Sequence, residues 1–256
     1  GIFALKDIKK GEKLMAIPRH AQFGPPEDDY SRCGTARSLA RDYVNGPEES
    51  DFWPYVKYVF EVFPHHELAS AWSQAGKDLI KNIVGTELEP QEFGVGSYAS
   101  ECTENGYYDP REEDWPEDLL NAAFHIVWAR CWYELCIPVY DNVNHANGYL
   151  KNMDQLHDSR THPDFDVVAL RDVKAGEQMF LSYNECNDYT CRGIKYTYIT
   201  PQIFSIFGFI EYYSGSQRWD FVTSPPDADE DEEEENILFQ IDLASTQCAD
   251  SNAEPQ

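Results

Sequence analysis

The chain has 256 residues, 42% of them apolar and 14% aromatic, which suits one or two packed domains and excludes an intrinsically disordered polymer. A formal net charge of −26 argues against nonspecific capture of nucleic-acid phosphates, and no apolar run reaches the roughly 18 residues that a membrane-spanning helix needs. Eight of the nine residues from Asp227 to Glu235 are acidic; without those eight the charge is still −18, so the rest of the chain is acidic too. The run reads as a solvated loop, with a lure for basic protein substrates as the sharper alternative. The seven cysteines show no Cys-x-x-Cys spacing, and Cys186 and Cys191 lack a matching pair or His motif. They are expected to be plain thiols in a reducing compartment, with no zinc site or disulfide. That favours an intracellular protein, cytoplasmic first, with the nucleus or a plastid left open. The chain lacks an initiator Met and starts inside an apparent strand, so its natural N-terminus and any targeting signal are expected upstream.

In chain order, Ile2–Leu5 and Lys13–Ile17 read as short strands around a turn at Lys9-Lys10-Gly11-Glu12, and Pro18 ends the second. A polar link from Gln22 to Gly34 leads to helical spacing at Leu39, Tyr43 and Val44, stopped by Gly46-Pro47. The aromatic-rich stretch from Phe52 to Pro64 is expected to pack beneath the helices. Leu79, Ile80, Ile83 and Val84 mark a short amphipathic helix. The strongest helical pattern is Pro116–Leu135: Pro116 suits the first turn, and Asp114, Glu117 and Asp118 favour the positive end of the helix dipole. Leu120, Ala123, Phe124, Val127, Trp128, Cys131 and Leu135 keep a 3.6-residue period. Arg130 lies in this apolar helix, a costly place for a guanidinium without a partner, and a rim salt bridge is the plain reading. Strand-like patterning resumes at Asp166–Leu170 and Gln178–Tyr183. Ile203–Ile210 is an apolar segment broken by Gly208, and Trp219–Val222 and Ile237–Ile241 read as late strands. The sum is α+β: strands at both ends and a helical block between them. The small polar residues from Ser245 to Gln256 read as a disordered tail.

Two features stand out. Ala4-Leu5-Lys6-Asp7-Ile8-Lys9-Lys10-Gly11-Glu12 is nearly restated as Ala169-Leu170-Arg171-Asp172-Val173-Lys174-Ala175-Gly176-Glu177. Between them lies a polar cluster, Asp141-Asn142-Val143-Asn144-His145, and soon after them Ser182-Tyr183. Taken alone, an Asn-His pair is a turn device and a strand-closing Tyr belongs to core or rim.

Their order resembles the SET-domain methyltransferases, in particular the branch of the Rubisco large-subunit lysine methyltransferases. Gly1-Ile2-Phe3-Ala4 resembles the opening strand of that domain. Asp141 to His145 is similar to its Asp-x-x-Asn-His motif, and Gly176-Glu177-Gln178 through Ser182-Tyr183 to its Gly-Glu…Ser-Tyr motif. Phe207-Gly208-Phe209-Ile210 is similar to the Tyr-Gly-Phe segment beyond. Arg130 falls where the branch carries Ser-Arg-x-Phe, and Gly85-Thr86-Glu87-Leu88 fits its helical insert. The resemblance covers roughly residues 1–211. It implies a SET-type fold of several small sheets with pseudoknot-like threading, a helical insert at about 34–135, and a C-terminal extension over 212–244. It implies S-adenosylmethionine as cofactor and a protein substrate. Cofactor contacts would come from Asn144, His145, Asp141, Arg130, Phe3 and Ala4, with Tyr183 lining the channel where methyl meets amine. No metal is implied.

The chain departs from the branch at Ala129, where Ser is usual, and at Asn184 after Tyr183. About 45 residues follow the stretch of resemblance, and they are expected to stand where the branch usually carries a large helical domain. The expected activity is methylation of lysine in a non-histone protein. Two alternatives stand beside it. The run from Asn144 to Gly148 is also similar to the actin-histidine methyltransferase, and an inactive SET scaffold could recruit basic partners. Oligomeric state is not legible.

Overall fold

Both copies of the repeated Lys-x-Gly-Glu turn use a glycine with positive φ, 82° at Gly11 and 87° at Gly176, where a Cβ is disfavoured. The closing glutamate of each turn folds back on its own loop. Glu12 accepts the Lys9 N–H at 3.1 Å, and Glu177 accepts the Lys174 N–H at 3.0 Å. The hairpins then grip each other reciprocally. Ile8 and Val173 form an antiparallel bridge. Asp7 accepts from Lys174 Nζ at 2.8 Å and the Ala175 N–H at 3.1 Å, while Asp172 accepts from Lys9 Nζ at 2.8 Å and the Lys10 N–H at 2.9 Å. Backbone bonds repeat the symmetry: Ala4 pairs with Gly176 and Glu177, and Ala169 pairs with Gly11 and Glu12. The duplicated sequence thus becomes a clasp between the start of the chain and residues 169–177.

The computed structural model describes residues 1–25, 30–63, 68, 72–84, 101–102, 115–156, 164–183, 200–209, 212–213, 216–223 and 237–242. Strands β1 (Ile2–Phe3), β3 (Asn144–His145) and β6 (Gln178–Leu181) form a sheet of order β1-β6-β3, with β3 parallel to β6. The late strand therefore runs between the first strand and a segment from the middle of the chain. Strands β2 (Lys13–Ile17), β4 (Met153–Gln155) and β5 (Phe165–Ala169) make a second, antiparallel sheet of order β2-β5-β4. In β5 the alternation is strict: Phe165, Val167 and Ala169 are buried, so their face meets the core. Asn152, fully buried, ties the sheets together; its amide donates to the Gln178 carbonyl and accepts from the Phe180 N–H, each at 2.8 Å. A third sheet, β7 (Tyr212–Tyr213), β8 (Ser216–Thr223) and β9 (Ile237–Asp242), is antiparallel throughout. It confirms two late strands; the acidic run 227–235 and the tail 245–256 lie outside the described residues.

Between β2 and β3 comes the helical block. Helix α1 (Arg32–Asn45) starts at Ser31, whose hydroxyl accepts the Gly34 N–H at 3.0 Å, and ends at Gly46 with φ 80°. The aromatic-rich stretch is itself a helix, α2 (Trp53–Glu61), and its rings pack against the core shared with α1 and the later helix of the block, as expected. Pro54 suits its first turn, which the periodic count over so many rings concealed. Helices α3 (Gln74–Val84) and α4 (Glu117–Arg130) follow; Ala36, Leu39, Val56, Val59, Ile126 and Val127 are fully buried where the helical block packs. A later helix, α5 (Thr200–Phe207), opens with Pro201 in its first turn.

Two expectations are corrected here. Helix α4 stops at Arg130 instead of continuing to Leu135, because Cys131 is extended and Trp132 and Leu135 close a tight hairpin with Tyr133 at φ 55°. The cysteines are not all plain thiols. Cys33 is bonded to Cys102, 69 residues away, and Cys131 to Cys136 across that hairpin. Spacing could not show the first pair because folding alone brings its ends together. The reducing compartment inferred from free thiols loses that support.

The clasp predicts a signed pH dependence. The hydrogen bond from Lys174, then that from the Ala175 N–H, holds the Asp7 carboxyl below its ordinary value, and Lys9 does the same for Asp172. A lowered folded pKa gives stability that is full above the unfolded value, near pH 4, and lost as pH falls through the folded one. Asp7→Asn is therefore expected to lower Tm at pH 7, and the gap from the parent should narrow steadily between about pH 5 and pH 3 in thermal melts.

Candidate active site

At the C-terminal end of α4 the chain buries a full ion pair. Arg130 Nη2 and Nε lie 3.1 and 3.2 Å from Asp141 Oδ2, with side-chain exposures of 12% and 1%. This is a buried pair, not the rim salt bridge that the sequence suggested. It is surrounded by partners. Tyr55 donates its hydroxyl to Asp141 Oδ2 at 3.1 Å, Tyr58 donates to Asn142 Oδ1 at 2.8 Å, and Arg130 Nη2 donates to that same Oδ1 at 2.9 Å. The guanidinium carbon also lies 4.9 Å from the Phe63 ring centroid and 5.5 Å from that of Tyr58. Burial raises the Asp141 carboxyl above its ordinary value despite the pull of Arg130. Burial, then the Asp141 charge, pushes the Tyr55 hydroxyl well up, so it stays protonated and remains a donor.

Asp141 belongs to a 3-10 turn over Tyr140–Asn142. The turn is entered through Val139 at φ 76° and ψ −52°, a positive-φ, γ-turn-like conformation that costs a β-branched residue on the order of 1–3 kcal/mol. The Asp141 N–H bond to the Ile137 carbonyl and the Asn142 N–H bond to the Val139 carbonyl, each 3.1 Å, hold it. The turn feeds directly into β3, so Asn144 and His145 stand opposite Phe180 and Leu181 of β6. Just beyond β6, Tyr183 folds back over the same segment. Its hydroxyl donates to the Val143 carbonyl at 2.7 Å and its backbone N–H to His145 Nδ1 at 3.0 Å.

Between these pieces lies a cavity of about 410 Å³ lined by Arg130, Asp141, Asn144, His145 and Tyr183, with Phe63, Ala129, Phe180, Phe207 and Phe209 completing the wall. Helix α5 supplies Phe207, and Gly208, at φ 78°, turns the chain so that Phe209 meets the same wall. The rings converge: Tyr183 lies 4.8 Å from Phe207 and 5.2 Å from His145, and His145 lies 5.5 Å from Phe209. Burial raises the Tyr183 phenol to about 12, with Asp141 adding to the shift and Arg130 opposing it.

Five of the seven site residues expected from the sequence thus meet in one cleft. Phe3 and Ala4 do not line it. Ala4 is buried in the core, with both backbone groups spent on the clasp, and Phe3 is 55% exposed on β1. The first strand approaches the site through Gly1, where a Cβ would sit 2.9 Å from Asn144 Nδ2. The sequence also hid Tyr55, Tyr58, Phe63 and the side chain of Asn142. Tyr55 and Tyr58, three positions apart, share a helix face, a spacing that a helical reading of residues 53–61 would have shown. Among the described residues no group of His, Cys, Asp and Glu is arranged to hold a metal ion.

The donor set suits a ligand with a flat ring, polar groups and a cationic centre. Aromatic walls from Phe180, Phe207 and Phe209 can stack on a base, the cleft volume falls in the small-molecule range, and the Asn144 amide makes no hydrogen bond among the described residues.

Residues 1–184 match the sequence profile of the SET domain family. The chain is 22% identical over 230 residues to the chloroplastic ribulose-1,5 bisphosphate carboxylase/oxygenase large subunit N-methyltransferase of Pisum sativum, covering 78% of this chain and 46% of that protein. A crystal structure of the SET domain of LSMT bound to lysine and AdoHcy superposes with a TM-score of 0.51 at 18% identity, covering 89% of this chain and 54% of that one. The chain therefore spans about half the length of each.

The buried pair gives a sharp prediction. Arg130→Ala strands the Asp141 carboxylate in the interior and should cost about 3–5 kcal/mol in urea unfolding. Arg130→Ala with Asp141→Ala removes the stranded charge and should recover part of that loss.

Proposed function

Because the chain belongs to the SET domain family, we propose that it transfers methyl groups from S-adenosylmethionine to a lysine side chain of a non-histone protein. The observation that carries this reading is the position of Tyr183 in the cleft, its hydroxyl held by the Val143 carbonyl and its ring among His145, Phe207 and Phe209. The related protein of Pisum sativum is by name an N-methyltransferase, and the superposed SET domain holds lysine and AdoHcy, both of which support it.

When bound, the cofactor supplies an electrophilic methyl on a sulfonium. The chain's own residues supply the surroundings. Asn144, His145 and Arg130 hold polar groups of the cofactor, with Asp141 fixing Arg130 rather than reaching the ligand itself, since Arg130, Tyr55 and Asn142 already engage its carboxylate. Phe180, Phe207 and Phe209 give an apolar wall that excludes water. A lysine entering such a channel must lose its proton, since its unperturbed pKa is about 10.4 and the neutral amine is the nucleophile. Removal from water disfavours the ammonium and so favours that loss. Aligning amine and methyl in one narrow passage then supplies much of the rate.

Tyr183 does not act as the base. With its phenol raised to about 12, it stays neutral at working pH and contributes a fixed dipole and a ring face. Tyr183→Phe is therefore expected to lower turnover about 100-fold while changing S-adenosylhomocysteine affinity less than about threefold. The pH–rate profile of the residual activity should keep its shape, because no tyrosine titration enters it. Unchanged turnover would remove Tyr183 from the mechanism.

The reaction itself is tested with isotopically labelled cofactor, a protein mixture and acid hydrolysis of the product. Labelled methyl-lysine is the expected outcome. Labelled methyl-histidine would overturn the lysine assignment, and no labelled product from a folded, cofactor-binding chain would overturn the methyltransferase reading.

A further inference from the structure

A guanidinium carries five N–H donors in a fixed fork. In Arg130 the Nε donor is spent on Asp141, and Nη2 lies within reach of Asp141, Asn142 and Tyr58. Among the described residues Nη1 makes no hydrogen bond, and Arg130 lines the cleft. The side chain is thus held along one edge and keeps one nitrogen for a ligand. Two hydroxyls from α2 set that edge. Tyr58 bonds the Asn142 oxygen that takes Arg130 Nη2 and lies 3.5 Å from Nη2 itself, while Tyr55 bonds the carboxylate oxygen that takes both Nε and Nη2. The Tyr58 ring stands 5.5 Å from the guanidinium carbon, so it also restricts tilt. Neither tyrosine lines the cleft.

We propose that Tyr55 and Tyr58 are positioning residues that fix the unspent face of Arg130 for the carboxylate of the cofactor's amino-acid moiety; the proposal rests on the methyltransferase reading above. The inserted helical block then takes part in cofactor recognition, since α2 carries both hydroxyls while α4 carries the arginine. The direction in which the Nη1 donors point depends on the plane of the guanidinium, so loosening that plane costs affinity for a carboxylate without removing the charge.

The test compares two ligands that differ in the amino-acid moiety, which bears the carboxylate. S-adenosylhomocysteine carries the amino-acid moiety, and 5′-methylthioadenosine keeps the adenosine and sulfur without it. Both are titrated calorimetrically into the parent chain, Tyr58→Phe and Tyr55→Phe, with melting curves to confirm that each variant is folded. The expected result is S-adenosylhomocysteine binding weakened about tenfold in each variant, with 5′-methylthioadenosine affinity within about twofold of the parent. Equal weakening of both ligands would assign the tyrosines a merely structural role and overturn the proposal. So would unchanged affinity for S-adenosylhomocysteine. If the parent itself binds no S-adenosylhomocysteine, the methyltransferase reading fails and takes the proposal with it, an outcome distinct from parent binding that the variants leave intact.

Discussion

The ion pair between Arg130 and Asp141 sits at the seam where the helical block meets the sheets, and the geometry of the site follows from it. Burying either charge alone would cost several kcal/mol, which makes the pair viable only with its remaining lone pairs and donors satisfied. Tyr55, Tyr58 and Asn142 provide that satisfaction for all but the Arg130 Nη1 donors, which belong to a side chain that lines the cleft. Once the pair is made, the end of α4 and the 3-10 turn at Tyr140–Asn142 can no longer shift independently. The next residues along the chain form β3, so the placement of Asn144 and His145 is inherited from the pair.

The clasp of the two repeated hairpins does the complementary task from the other side. By pairing residues 4–12 with 169–177 it fixes β6 between β1 and β3. Tyr183, two positions beyond β6, then lands within hydrogen-bond distance of the Val143 carbonyl, between the pair and β3. Two distant devices, one buried and one at the surface, therefore converge on a single cleft. They differ in kind: the exposed ion pairs of the clasp are screened by solvent and act chiefly by capping backbone donors, whereas the buried pair sets an interior register.

Much of this was legible in the residues. The repeated Asp-x-Lys-x-Gly-Glu pattern announced matched turns because glycine and a back-folding glutamate are local devices. The Asp-x-x-Asn-His and Ser-Tyr segments, in that order, pointed to the cleft. What stayed hidden depends on contacts made only in three dimensions. Tyr55 and Tyr58 lie 86 and 84 residues before the side chains they bond, so no spacing rule links them. The Cys33–Cys102 bond has the same character. The premature end of α4 was masked because Cys131 and Leu135 keep the apolar period past the true stop; tertiary pairing of Trp132 with Leu135 overrides it. Ala4 fitted a family motif by position, yet its backbone is committed to the clasp.

The central claim is that the cleft between Arg130 and Tyr183 holds an S-adenosyl cofactor, and calorimetric titration of S-adenosylhomocysteine into the folded chain and its Asn144→Ala variant tests it most directly. Asn144 stands on the cleft with an amide that bonds to none of the described residues, so its removal leaves the clasp and the buried pair untouched. The account predicts micromolar binding by the parent and a loss of at least about tenfold in the variant. No binding by a folded parent, or equal affinity in both, would contradict it.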